Sequence, residues 1–302
     1  MTILTNVNRS ILGERRRNHA SGVEDGSALA ALVRRLAAFR SRFAFHATFS
    51  DAYHRWNLTH ASAVVVLVLV AQFALLRPVA LALLALWIAG ALGTLFLLGS
   101  RIHPDGAGPA MANLLTATRV VVAVALVGIV VVTAYVPEAA AALRSSLGWY
   151  LVGMLLVVEL TDLLDGHVAR RLNAGAFGAT WDMESDAAYA LALSLAVRHV
   201  HEAPVFVLLI GLLRYLYVLL WHYDREPTAV PRAYKLFAKT TTAILVTTLI
   251  LALLPPVGDT LRAVSLLVVL GLQLVSFGWD LVLQRSTGGQ RSAGRRGPEA
   301  RR

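Results

Sequence analysis

The chain has 302 residues, of which 57% are hydrophobic and only 15% charged, a balance that excludes an ordinary soluble domain. It has no cysteine, which excludes disulfide scaffolds and cysteine-ligated metal centres. The net charge of +10 comes from basic residues lying mostly outside the apolar segments, the cytoplasmic bias of a membrane protein rather than the footprint of a nucleic-acid binder.

The opening 26 residues are polar and basic and contain no apolar signal region, so they read as a cytoplasmic tail. From Ser27, a plausible N-cap, Leu29, Leu32, Val33, Leu36, Phe39 and Phe43 recur at helical spacing, flanked by Arg34, Arg35 and Arg42. This predicts an amphipathic helix on an anionic leaflet, so that residues 1–57 form a cytoplasmic tail with an interfacial helix. Two apolar runs follow, 59–76 and 79–99, joined by Arg77-Pro78 and free of acidic residues. Each is near the roughly 20 residues that span a bilayer. They predict a transmembrane hairpin over 58–100 with a structural role.

The Gly/Pro-rich loop 100–112 leads into Asn113, Thr116 and Arg119, which step by three along one helical face at the entrance of an apolar helix ending near 136. Further spans are predicted at 147–170, 178–199, 203–222, 236–254 and 260–283. Within the first two lies the stretch ELTDLLDGHVARRLNAGAFGATWDMESDAAY, residues 159–189. Asp162 and Asp165 are three apart on one helix, with Gly166 and Ala169 on the same stripe; Asp182 and Asp186 are four apart on the next and share a face with Gly178. An ionised carboxylate within a membrane is a functional hypothesis by default. If the two helices face each other, four carboxylates meet, and the relief for their repulsion is a hard divalent cation held by oxygen ligands, Mg²⁺ or Mn²⁺, one ion or two. Two such ions about 4 Å apart form a clamp for phosphoryl transfer. Arg170 adds a planar fork for phosphate oxygens.

Arg214 sits in the middle of the next span, where an arginine must face the bundle interior, a carboxylate or a ligand. Arg232, Lys235 and Lys239 follow, with Lys235 and Lys239 sharing a face. Cations beside a metal-diphosphate site suit an anionic acceptor. Asp280 has two candidate partners, Arg285 and Arg214. Glu159 is a candidate partner for the carboxylate cluster, and Trp149, Tyr150, Trp221, Tyr223 and Trp279 read as interfacial belts. Residues 285–302 are Gly/Arg-rich and predict a disordered basic tail. Eight spans place both termini on one side, and the distribution of arginines and lysines makes that side, with the aspartates, cytoplasmic.

The pattern Asp162-x2-Asp165-Gly166-x2-Ala169-Arg170, then Gly178-x3-Asp182-x3-Asp186, resembles the signature of the CDP-alcohol phosphotransferase family, integral-membrane enzymes of phospholipid synthesis. The interval between Arg170 and Gly178 is one residue shorter than is usual there. The Asn113-x2-Thr116-x2-Arg119 opening resembles the start of the family's first core helix. The resemblance implies an all-α, polytopic membrane bundle with a six-helix catalytic core, here 101–284, plus the added N-terminal hairpin. It implies a homodimer in the bacterial inner membrane that uses CDP-diacylglycerol and a small alcohol and releases CMP. On this basis Asp162, Asp165, Asp182 and Asp186 are expected to hold the metal, and Asp186 also to act as the base. Asp162, Gly166, Ala169, Arg170, Gly178 and Thr116 are expected to bind the CDP group. The region of Arg214, Lys235 and Lys239 loosely resembles the branch that makes phosphatidylglycerophosphate, so with Arg119 these residues are assigned to the acceptor, glycerol 3-phosphate favoured over inositol phosphate or an amino alcohol. A transporter with an intramembrane carboxylate relay and a membrane prenyltransferase are the competing readings.

Overall fold

A computed structural model of the chain describes residues 52–73, 77–102, 110–169, 176–220 and 231–294, with the side chains of 100–102, 110–115, 162–169, 176–179 and 284–294 outside the description. The amphipathic helix expected from Ser27 therefore lies outside the described residues, as do Arg170, Trp221 and Tyr223. The chain divides into Met1–Arg55 and Trp56–Arg302, and the second unit is the helical bundle. All regular structure among the described residues is helical: α1 (Ala52–Phe73), α2 (Arg77–Ile102), α3 (Ala110–Tyr135), α4 (Pro137–Leu143), α5 (Ser146–Ala169), α6 (Ala176–Val200), α7 (Val207–Leu220), α8 (Arg232–Leu251) and α9 (Asp259–Gly294).

Five of these helices, α1, α2, α3, α8 and α9, are long and apolar enough to cross a membrane, and a sixth span arises if α4 and α5, bent by 64°, are taken together. The bend was not expected. Pro137 starts α4 because its missing N–H is harmless in a first turn, and Gly148 permits the corner. A β-carbon there would sit 2.2 Å from the Leu143 carbonyl oxygen and 2.8 Å from Pro255 Cγ.

Two of the expected spans, α6 and α7, fall outside this set. α7 is described over only 14 residues. α6 carries Asp182, Glu184, Asp186 and Arg198, too many ionisable groups for a lipid-facing helix. It is instead the central helix of the bundle: every residue from Leu191 to Val197 is buried. It packs against α3, α7, α8 and α2, and most extensively against α3. Outward-facing apolar side chains such as Val66, Leu86, Val121, Val157 and Leu267 cover the bundle, as a lipid solvent requires.

Small residues let α6 and α7 approach closely. A β-carbon at Gly211 would lie 2.5 Å from Leu191 Cα and 3.1 Å from Ser194 Oγ. Because that obstruction is backbone, Gly211→Ala is expected to force the helices apart and cost about 1–3 kcal/mol, read as a lower melting temperature in detergent. Across the bundle, Gln273 Nε2 donates to the Ile210 carbonyl at 3.1 Å, joining α9 to α7. Near the other end of α7, the Tyr217 hydroxyl donates to Asp280.

The helix ends remote from the aspartates are fastened by arginines. Arg262 donates to Asp259 and to the carbonyls of Ala252 and Val257 at 2.6–2.8 Å. Arg144 binds Glu202 at 2.6 Å and the Val200 carbonyl. Beside them His201 Nε2 donates to the Leu253 carbonyl at 3.1 Å; burial and then the Arg262 charge hold this imidazole below its usual pKa. The last helix continues to Gly294, past the expected end at Leu283, since adding a residue to an existing helix needs no new nucleation.

Candidate active site

The site forms where α3 meets α6. Asp182 and Asp186 lie one turn apart on α6, and both turn toward α3, where Arg119 is buried with its side chain only 6% exposed. Its Nη1 lies 3.3 Å from Asp182 Oδ1 and donates to Asp186 Oδ1. Arg119 therefore does not snorkel to lipid headgroups. A single guanidinium nitrogen gathers two carboxylates onto one centre. Thr116, one turn before Arg119, is also buried. The carboxylates keep an open side, with side-chain exposures of 53% for Asp182 and 34% for Asp186. Nearby, Tyr189 is buried within electrostatic range of Glu159 and Arg119.

Asp162, Asp165, Gly166 and Ala169 fall on α5 and Gly178 on α6, so both signature segments are helical as expected; the side chains of these residues lie outside the described set. No group of three or more potential metal ligands occurs among the described residues. What is described fits a hard divalent cation. Asp182 and Asp186 offer carboxylate oxygens alone, share a helical face, and already converge on one positively charged atom.

Of the residues assigned to the acceptor, Arg119 lies at this point, whereas Arg214 is engaged by another carboxylate. Arg214 on α7 donates through Nη2 to Glu184 Oε1 at 2.6 Å, and Glu184 is fully buried. Glu184 projects about 160° around α6 from both aspartates, because each residue turns the helix by about 100°. The Arg214 pair thus lies behind the aspartate face. Lys235 and Lys239 are exposed on α8, where Tyr234 packs edgewise on Trp279 and Phe237 packs on it at a tilt, with centroid distances of 5.8 and 5.5 Å. Glu184 is not among the residues singled out by the sequence. The signal for it was Arg214 itself, since a mid-membrane arginine requires a carboxylate within reach.

A family model described as CDP-alcohol phosphatidyltransferase matches residues 109–275, more than half of the chain. The chain belongs to that family. The match begins just before the Thr116–Arg119 turn and takes in both aspartate segments, and α1 and α2 lie outside it. Comparisons with curated proteins and with solved structures gave no match. Membership makes the chain a membrane-embedded transferase of phospholipid synthesis, one that moves a phosphatidyl group from a CDP-alcohol to an alcohol. It also removes the transporter and prenyltransferase readings. Among the described residues, this CDP-alcohol phosphatidyltransferase buries Glu184 most deeply of its charged side chains, with Arg262 and Arg119 next.

Proposed function

We propose that this CDP-alcohol phosphatidyltransferase moves the phosphatidyl group of CDP-diacylglycerol to the hydroxyl of a small alcohol, glycerol 3-phosphate foremost, and releases CMP. The observation that carries the reading is the convergence of Asp182 and Asp186 on Arg119 within the segment that the family model matches. Asp162 and Asp165 of α5 complete an oxygen-only donor set that would hold Mg²⁺ or Mn²⁺, one ion or two. When bound, the metal would neutralise the diphosphate and polarise the bond that breaks.

The chain's own residues do the rest. Gly166, Ala169 and Gly178 leave room for the nucleotide beside the carboxylates, and Arg170 and Thr116 bind it. Arg119 holds Asp182 and Asp186 in register from α3 and presents a cation to the acceptor side of the site. Asp186 accepts the proton of the acceptor hydroxyl. The alcohol oxygen forms its bond to the β-phosphorus as the bond to the CMP oxygen breaks, and CMP carries away the electron pair. Lys235 and Lys239 supply positive charge for an anionic acceptor. We assign Arg214, engaged by Glu184 on the opposite face of α6, a positioning role. The enzyme works as a homodimer in the bacterial inner membrane, with the aspartate end of the bundle and both termini cytoplasmic, in accord with the arginine and lysine distribution.

Purified protein incubated with CDP-diacylglycerol, Mg²⁺ and a panel of alcohols tests this, with the lipid product weighed by mass spectrometry. The expected product is phosphatidylglycerophosphate, formed together with CMP and abolished by EDTA. A product from inositol phosphate or an amino alcohol overturns the acceptor. CMP release that persists in EDTA overturns the metal.

A further inference from the structure

The α1–α2 hairpin lies outside the matched segment, yet it delivers a polar side chain to the centre of the bundle. His60 on α1 is 1% exposed. Its Nδ1 accepts a hydrogen bond from Trp87 Nε1 of α2 at 3.2 Å, which places the ring proton of the neutral imidazole on Nε2. Trp56 stacks on the same ring with centroids 4.8 Å apart, while its own Nε1 donates to the Ala91 carbonyl at 3.1 Å. The two tryptophans thus lock the imidazole in place. Its free edge meets Tyr215 of α7 at a centroid distance of 5.5 Å and an angle of 73°. Both members of the Glu184–Arg214 ion pair lie within electrostatic range of it. His60 Nε2 and the Tyr215 hydroxyl are buried and have no hydrogen-bond partner among the described residues. Polar atoms left in such a place in an apolar helix mark a polar cluster, because nothing in lipid compensates them.

That cluster lies on the back of α6, about 160° around the helix from Asp182 and Asp186. Asp182 and Asp186 bracket Glu184, so a rotation of α6 that pulls Glu184 out of line swings both aspartates with it. We propose that His60 is a positioning residue for the active site: the N-terminal hairpin seats its imidazole beside Tyr215 and the Glu184–Arg214 pair, and so fixes the rotation of α6 that aims Asp182 and Asp186 at the substrate. The hairpin is then part of the catalytic apparatus rather than an anchor. This rests on the reaction proposed above, but its structural half can be measured without that reaction.

The chain has no cysteine, so Met183→Cys supplies a unique label on α6 between Asp182 and Glu184. Its maleimide labelling rate would be compared in three backgrounds: wild-type His60, His60→Leu and His60→Gln, whose amide oxygen can still accept the Trp87 N–H. In the native sequence, kcat and KM for CDP-diacylglycerol would be measured for the same His60 variants, with melting temperatures in detergent. His60→Leu should change the labelling rate severalfold and lower kcat by about 10- to 100-fold, the range lost when residues that orient ligating side chains are changed. His60→Gln should restore both, with KM little changed throughout. Unchanged labelling and kcat in His60→Leu overturn the proposal, and so does a loss matched by the fall in folded protein and not rescued by glutamine. If labelling shifts as expected but wild-type protein releases no CMP, the positioning stands and the reaction reading fails.

Discussion

Asp186→Asn is expected to reduce CMP release from CDP-diacylglycerol by about 10²–10⁴-fold, the range lost with a positioned general base. Asparagine keeps the shape of the side chain but cannot take a proton from the acceptor hydroxyl. The fold should survive, because Asp186 is one-third exposed and faces an open side of the bundle. Two effects are mixed in this substitution, since Asp186 also belongs to the donor set for the metal. Asp182→Asn separates them. It removes the other carboxylate that Arg119 gathers but leaves the proton acceptor in place, so raised Mg²⁺ should recover much of its activity and almost none in Asp186→Asn. The assay is CMP release against Mg²⁺ concentration with purified protein. Turnover by Asp186→Asn within tenfold of wild type would remove the base assignment.

The second large effect concerns stability. Glu184→Leu leaves the Arg214 guanidinium, 16% exposed, without the carboxylate it faces at 2.6 Å, and should cost about 3–5 kcal/mol. Removing both charges together, as Glu184→Leu with Arg214→Leu, should cost less than either single change, because no buried charge then lacks a counter-charge. The measurement is a double-mutant cycle of unfolding in detergent. Additive losses would show that the two residues do not act as a pair. The double variant is informative for catalysis too. If it folds yet turns over slowly, the pair orients α6, whereas an acceptor contact by Arg214 would appear as a raised KM for the alcohol.

Much of this molecule is legible in its sequence because membrane helices are bound by a simple rule: charged residues are few, and their spacing places them on faces. The four-residue step from Asp182 to Asp186 predicts a shared face, and the structure shows both reaching the same atom of Arg119. The three-residue steps through Thr116 to Arg119 likewise predict a shared face, and the structure turns it inward, with both residues buried. Glu184 is hidden by the same logic. Its position between the aspartates puts it on the wrong face for their cluster, and its partner lies 30 residues away on another helix. His60 gives even less signal, being a lone imidazole in an apolar run whose neighbours become visible only when α1, α2 and α7 pack. Hydropathy also understates α6, whose ionisable groups are tolerated because other helices rather than lipid surround it. The corner between α4 and α5 depends on a Gly148–Pro255 contact between distant segments, which no local pattern announces.

The claim on which the rest depends is that aspartates from α5 and α6 share a divalent cation. Mn²⁺ binding to the detergent-solubilised protein, followed by electron paramagnetic resonance, tests it without substrate. Asp162→Asn or Asp165→Asn on α5 and Asp182→Asn on α6 should each weaken Mn²⁺ binding by at least about 10-fold. If the α5 substitutions leave Mn²⁺ affinity at its wild-type value while Asp182→Asn lowers it, the two helices do not hold a common ion, and the account is contradicted.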